Sequence, residues 1–156
     1  MEPIGLEAAT KNRELAVVTA DVLGDLAFMV NDDEVVQPPV GTIWLRCQIS
    51  YEGPAKGALC CWCSRDFAIQ LTANLLGIEP DESDARSGAR DALREFMNIL
   101  CGQLVTAWYG TDSVFNLSIP TVETCVETPE LPGQPGGYCR LSICGEPFYC
   151  TYTEQC

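Results

Sequence analysis

Apolar residues recur every three or four positions in two stretches of the chain, and this spacing is typical of amphipathic α-helices. In the first stretch, residues 14–30, the apolar side chains fall on one face, and Asp21 and Asp25 fall on the other. The second stretch begins near Gly88 and continues past Gly102 with the same separation of faces. The pattern therefore predicts two long helices, each burying one side.

Runs rich in β-branched, aromatic and cysteine residues predict strands around these helices. Residues 42–51 and 58–63 are separated by a Gly- and Pro-containing turn, which predicts an antiparallel hairpin. A short helix over residues 67–76 follows, with Ser64 or Asp66 as its N-cap and Gly77 as its C-terminal glycine. Further strands are expected at residues 115–119, 121–126, 138–144 and 147–152, the last two joined by a turn at Gly145-Glu146.

The remaining segments are polar or rich in proline and glycine. The acidic run at residues 79–84 predicts a solvated loop, and residues 128–137 predict a surface loop. The order helix, hairpin, helix, helix, strands indicates an α+β fold with helices packed on one face of a mostly antiparallel sheet. The length of 156 residues suits a single domain over residues 1–156.

A weak internal repeat relates the two long helices. Aligning them places Asp25 against Glu95 and Phe28 against Asn98, each pair inside a predicted helix. Two related halves would explain this pseudo-repeat. The alternative is that any two amphipathic helices align this well.

The charge balance narrows the classes of partner. With 22 acidic residues, nine basic residues and no histidine, the net charge is −13. Nucleic acid and anionic membrane are therefore poor partners, because binding phosphate needs lysine and arginine. The chain starts Met1-Glu2-Pro3, and Asp21 and Asp25 interrupt the first apolar run. We therefore predict neither a signal peptide nor a membrane span, and expect a cytoplasmic protein.

Ten cysteines raise the question of metal or redox chemistry. Cys60-x-x-Cys63 has a metal-binding or redox spacing, but no second pair and no histidine completes four ligands. We interpret the cysteines as reduced thiols that pack as small hydrophobic residues. A cysteine-based metal or redox protein is the alternative, and it predicts bound metal or a reactive thiol pair at these two positions.

The second helix carries a polar stripe. Asp91, Glu95, Asn98 and Gly102 follow one another at steps of four, three and four residues, so they share one narrow face opposite the apolar residues. A glycine inside a helix costs about 1 kcal/mol relative to alanine. On this stripe its missing side chain would let another molecule approach closely. A carboxylate and an amide on a wet helix face are by themselves common.

The spacing Asp91-x3-Glu95-x2-Asn98, followed after a strand by Pro120, resembles the signature of the CheC/CheX/FliY chemotaxis phosphatases. The glycine after the asparagine and the run Leu-Ser-Ile-Pro-Thr-Val also fit. CheC-type members carry the Glu and Asn on two helices, and CheX-type members on one. Because Phe28 stands where the first helix would need Asn, the chain is most similar to CheX.

This resemblance implies a CheC-like α/β arrangement of long helices on a sheet, a homodimer, and a phosphatase acting on a CheY-like response regulator. Glu95 would anchor to a partner lysine, and Asn98 would orient the attacking water. Asp91 and Gly102 would contact the partner. No cofactor is expected in this chain, and Mg²⁺ is expected in the partner's site. A catalytically silent domain that binds the regulator as an adaptor is the alternative.

Overall fold

The computed structural model describes residues 4–32, 34, 37–130 and 137–155. These ranges contain four helices and one six-stranded sheet. The predicted α+β class is confirmed. In chain order the elements are α1 (Ile4–Ala27), β1 (Trp44–Glu52), β2 (Lys56–Ser64), α2 (Arg65–Leu76), α3 (Ser83–Ser87), α4 (Ala89–Tyr109), β3 (Asn116–Leu117), β4 (Thr121–Cys125), β5 (Gly137–Ile143) and β6 (Glu146–Gln155).

The sheet has the order β3-β1-β2-β6-β5, and β4 also pairs with β1. Each of these pairings is antiparallel, and β1 and β2 form the predicted hairpin. Since β3 and β4 both lie against β1, the two short strands are consecutive parts of one edge of the sheet.

The helices cover one face of the sheet. Along β1, Cys47 and Ile49 are buried, whereas Gln48 and Ser50 between them are exposed, as expected when one face of a strand meets the core. Helix α4 lies on β1, and α1 lies on β5. No helix in the described ranges is both long and apolar enough to cross a membrane.

The first helix differs from its predicted bounds. It begins at Ile4 rather than at residue 14, and it ends at Ala27 rather than at residue 30. Phe28 adopts a left-handed conformation with φ 55°, and the N–H of Met29 donates to the Leu23 carbonyl at 3.2 Å. The alignment of Phe28 with Asn98 as two helical positions is therefore wrong, because Phe28 lies beyond the helix end.

The short helix α2 has the predicted ends. Ser64 is its N-cap, and the Ser64 hydroxyl accepts a hydrogen bond from the Phe67 N–H at 3.0 Å. Asp66, the alternative cap, lies inside the helix. Gly77 ends it in a left-handed conformation with φ 68°. Both ends of α2 could be predicted from the sequence, because each cap acts on backbone groups within a few residues.

Three smaller predictions were wrong in detail. The loop predicted at residues 79–84 ends at residue 82, because Ser83 and Asp84 already belong to helix α3. Strand β3 has two residues instead of five. The turn between β5 and β6 lies at Cys144-Gly145, one residue earlier than predicted, because both residues have the positive φ that a tight hairpin turn requires. Residues 131–136 of the predicted loop lie outside the described residues.

Candidate functional site

Helix α4 is fixed by its buried face. Leu93, Phe96, Met97 and Leu100 are fully buried, and the Phe96 ring meets Phe148 of β6 edge-on at 5.7 Å. Burying each side chain of this size stabilises the folded state by about 1.5–3 kcal/mol. The opposite face of α4 is therefore held in one orientation.

The predicted stripe lies on that opposite face. Asp91, Glu95 and Asn98 are exposed, and Gly102 is partly exposed. Within the described ranges, the side chains of Glu95 and Asn98 have no hydrogen-bond or ion-pair partner. A carboxylate and an amide are thus presented to solvent on a rigid helix, free to contact another molecule.

A shallow groove of about 410 Å³ runs beside the stripe. One wall is α4, which contributes Asp91, Arg94, Glu95 and Asn98, and the other wall is residues 117–120. The structure thereby brings together three of the four predicted site residues. Gly102 lies one helical turn beyond Asn98, outside the groove lining.

The second wall is a β-bulge. Leu117 pairs with Tyr51, and Thr121 pairs with Gln48, so the edge segment advances by four residues where β1 advances by three. The extra residue cannot join the ladder, and such bulges are frequent beside functional sites. Ile119, at the bulge, is 87% exposed.

Hydrogen bonds hold the bulge in place on both sides. The Ser118 N–H donates to the Ser50 carbonyl at 2.9 Å, and the Ser118 hydroxyl accepts from the Ser50 N–H at 2.9 Å. From α4, the Arg90 guanidinium donates to the Val122 carbonyl at 3.0 Å and to the Thr124 hydroxyl at 2.5 Å. The helix and the edge of the sheet therefore form one rigid groove.

Sequence reasoning missed two arginines of this site. Arg90 ties α4 to β4, and Arg94 lines the groove, where its guanidinium donates to the Asp91 carboxylate at 2.7 Å. Angle counting could have found Arg94, since at about 100° per residue it lies about 60° from Asp91. The predicted recognition residue Asp91 is therefore already paired within the chain.

Gly102 has open space around it. A methyl group built on its Cα meets no other atom within 4 Å. Its carbonyl accepts a hydrogen bond from the Thr106 hydroxyl at 2.9 Å, one turn later in the helix. Packing within this chain therefore does not require glycine at this position.

Cys60 and Cys63 do not form a shared site. They lie three positions apart on β2, so their side chains point to opposite faces of the sheet and cannot bind one ion. Burial raises the pKa of the Cys60 thiol to about 11 and the pKa of Cys63 above its ordinary value. Neutral thiols are weak nucleophiles and weak metal ligands. Cys60 and Cys63 are buried, as expected of packing residues, whereas Cys144 is exposed and Cys125 is partly buried.

A larger cavity of about 760 Å³ lies away from the stripe, at the start of α2. Its lining mixes the charges of Arg65 and Arg86 with those of Asp66, Asp81 and Glu146. None of the predicted site residues lines it. A convex helix face beside an open groove suits contact with a macromolecule better than enclosure of a small ligand.

The sequence matches the family model described as chemotaxis phosphatase CheX over residues 45–128, more than half of the chain. The chain belongs to the CheX family. The matched region extends from β1 to β4, so it contains the whole of α4 and both walls of the groove. No match to this CheX-family chain is found among curated proteins.

Solved structures share this CheX-family fold. A chemotaxis protein CheX from Desulfovibrio desulfuricans is 19% identical with a TM-score of 0.68, covering 96% of this chain and 99% of that one. A CheC-like superfamily protein from Shewanella is 15% identical with a TM-score of 0.67 and full coverage of both chains. CheX from Borrelia burgdorferi, in complex with CheY, BeF₃ and Mg²⁺, is 14% identical with a TM-score of 0.63, covering 92% and 96%. At such identities the likeness shows the fold alone.

Proposed function

We propose that this CheX-family protein is a phosphatase that hydrolyses the aspartyl phosphate of a CheY-like response regulator in chemotaxis. The observation that carries the proposal is the pair Glu95 and Asn98, exposed and without a partner in the described ranges, on a helix face fixed by its buried side. Such a face has the shape to enter the active site of another protein.

The proposed reaction requires few catalytic groups from this chain. An acyl phosphate is already reactive, so catalysis consists mainly of placing a water in line with the phosphorus. The water oxygen forms a bond to phosphorus, the bond between phosphorus and the aspartyl oxygen breaks, and the products are a free carboxylate and inorganic phosphate. The Asn98 amide both donates and accepts hydrogen bonds, so it can orient the water without changing its own protonation state.

Glu95 serves as an anchor in this proposal. Its carboxylate, three residues before Asn98 on the same face of α4, would pair with a lysine in the regulator's site. We place the Mg²⁺ in the regulator's own site, as the resemblance to the CheX-type proteins implies. The net charge of −13 would accelerate encounter with a partner whose docking surface is basic.

The solved Borrelia relative supports the class of partner, since that CheX is in complex with CheY. A homodimer, which the family resemblance implies, is also part of the proposal, and light scattering of the purified chain measures it. A dimer would present two copies of the α4 face.

The test is release of phosphate from a phosphorylated response regulator of the same organism by a sub-stoichiometric amount of this protein. Asn98→Ala should lower the acceleration by at least about a hundredfold, because the water loses its position. Glu95→Gln should weaken regulator binding. Gln103→Ala is the matched control, since it removes an exposed amide from the same helix about 120° away from Asp91.

The outcomes separate the two candidate functions. Turnover that depends on Asn98 supports the phosphatase. Binding of the regulator without turnover, unaffected by Asn98→Ala, would instead support the silent adaptor. Retention of full acceleration by both stripe variants would refute the proposed roles of Glu95 and Asn98.

A further inference from the structure

Arg94 is the one cation among the described residues that line the groove. It lies about 60° around the helix from Asp91, on the side of Asn98 and of the bulge. The same groove carries the carboxylates of Asp91 and Glu95. A negatively charged group that entered the groove would meet two like charges and a single opposite one.

The guanidinium of Arg94 is only loosely engaged. Among the described residues its hydrogen-bond and ion-pair partner is Asp91, whose side chain is 86% exposed, and the Arg94 side chain is 37% exposed. Ion pairs exposed to this extent bind weakly, because water screens them and both side chains lose freedom. Arg94 can therefore exchange Asp91 for another anion at little cost.

Arg90, one turn earlier, shows the contrast. Both of its terminal nitrogens are bound to β4, one to the Val122 carbonyl and the other to the Thr124 hydroxyl. Its role is to hold the groove together. Arg94 instead lines the groove, and one of its terminal nitrogens donates to the Asp91 carboxylate.

We propose that Arg94 leaves Asp91 when the regulator docks and binds the phosphoryl group of the aspartyl phosphate. This inference rests on the proposed function. The planar guanidinium matches two phosphoryl oxygens with two parallel hydrogen bonds. It offsets the repulsion between the groove carboxylates and the phosphoryl group, and it makes docking selective for the phosphorylated regulator. Until that exchange, Arg94 donates to the Asp91 carboxylate beside the groove.

The experiment compares Arg94→Gln, Arg94→Lys and Asp91→Asn with the wild-type chain. Two quantities are measured: kcat and KM for dephosphorylation, and the ratio of affinities for the regulator with and without bound BeF₃⁻, a mimic of the phosphoryl group. Arg94→Gln should lower kcat/KM and the affinity ratio by about tenfold to a hundredfold. Arg94→Lys should restore part of both, because it keeps the charge but not the fork. Asp91→Asn should raise the affinity ratio only slightly, because the ion pair that it removes is exposed and weak.

The control is Arg13→Gln, which removes one exposed positive charge from α1, away from the groove. It should leave both quantities unchanged, and so exclude a general effect of net charge. Circular dichroism of each variant checks that α4 is intact.

Normal kcat, KM and affinity ratio for Arg94→Gln would overturn the proposal. A fall for Asp91→Asn as large as that for Arg94→Gln would also overturn it, because the pair would then act as a unit. Failure of the proposed function looks different: the wild-type chain itself would not accelerate dephosphorylation. In that case, an affinity ratio that still falls for Arg94→Gln would support the contact between Arg94 and the phosphoryl group and would refute only the turnover.

Discussion

Replacing Gly102 by alanine separates what the stripe does for this chain from what it does for a partner. Gly102 lies inside α4, where glycine is about 0.8–1.0 kcal/mol less favourable than alanine. A methyl group at this position meets no atom of the chain within 4 Å, so no clash reduces the gain. Gly102→Ala should therefore increase the free energy of unfolding by about 1 kcal/mol.

For a domain of this length that gain raises the melting temperature by about 2–4 °C. Thermal unfolding followed by circular dichroism measures it. Ala107→Gly is the matched control, since Ala107 is exposed on the same helix about 160° from Asp91. It should lower the melting temperature by a similar amount and leave partner binding unchanged.

Binding to the BeF₃⁻-loaded regulator should move in the opposite direction. If the partner approaches the helix closely at Gly102, the added methyl group costs about 1 kcal/mol or more at a packed interface. That corresponds to roughly a fivefold weaker Kd. A stabilised Gly102→Ala variant that binds as well as the wild type would refute close approach at this position. A destabilised variant would refute the reasoning about the helix itself.

Two further predictions concern stability. Burial alone would raise the pKa of Glu154, but hydrogen bonds from Lys11 and Tyr109 lower it overall. Because the folded pKa lies below the unfolded pKa, the ionised carboxylate stabilises the folded state above the unfolded pKa, and this stabilisation is lost as the pH falls through the folded pKa. The melting temperature of Glu154→Gln should thus lie below that of the wild type at pH 7, and the gap should close as the pH falls below about 4.3, the pKa of an unfolded Glu, and then through the lower folded pKa. A constant gap would contradict the linkage. Ser64→Ala removes the bond that the hydroxyl accepts from the Phe67 N–H and the bond that it donates to the Glu146 carboxylate, so it should cost about 1 kcal/mol or more in urea unfolding. An unchanged midpoint would contradict the cap.

Features that depend on neighbouring residues were predictable from the sequence. The faces of α4 follow from a repeat of 3.6 residues, so the exposure of Glu95 and Asn98 and the burial of Phe96 could be derived by counting. The caps Ser64 and Gly77 act within a few residues of the helix ends they satisfy.

Features that depend on contacts between residues far apart in the chain were not predictable from the sequence. The end of α1 at Ala27 rests on a left-handed Phe28, which is rare for a bulky residue and left no trace in the apolar pattern. The pairing of Leu117 with Tyr51 brings together residues far apart in the chain, so the short length of β3 could not be read locally. The stripe predicted from the sequence left out Arg94, which lies about 60° around the helix from Asp91.

Pro120 illustrates how a sequence marker acquires a physical role. In the sequence it was only part of a familiar spacing, whereas in the structure it follows the exposed Ile119 at the bulge between β3 and β4. Proline has no N–H to donate to β1, so it is tolerated where the ladder is already broken and disfavours a regular strand there. A continuous strand would keep this segment flat against β1 and remove the second wall beside Asn98. The proline thus favours the bulge, and the groove beside the stripe is lined by the residues at which the regular ladder between β3 and β4 is interrupted.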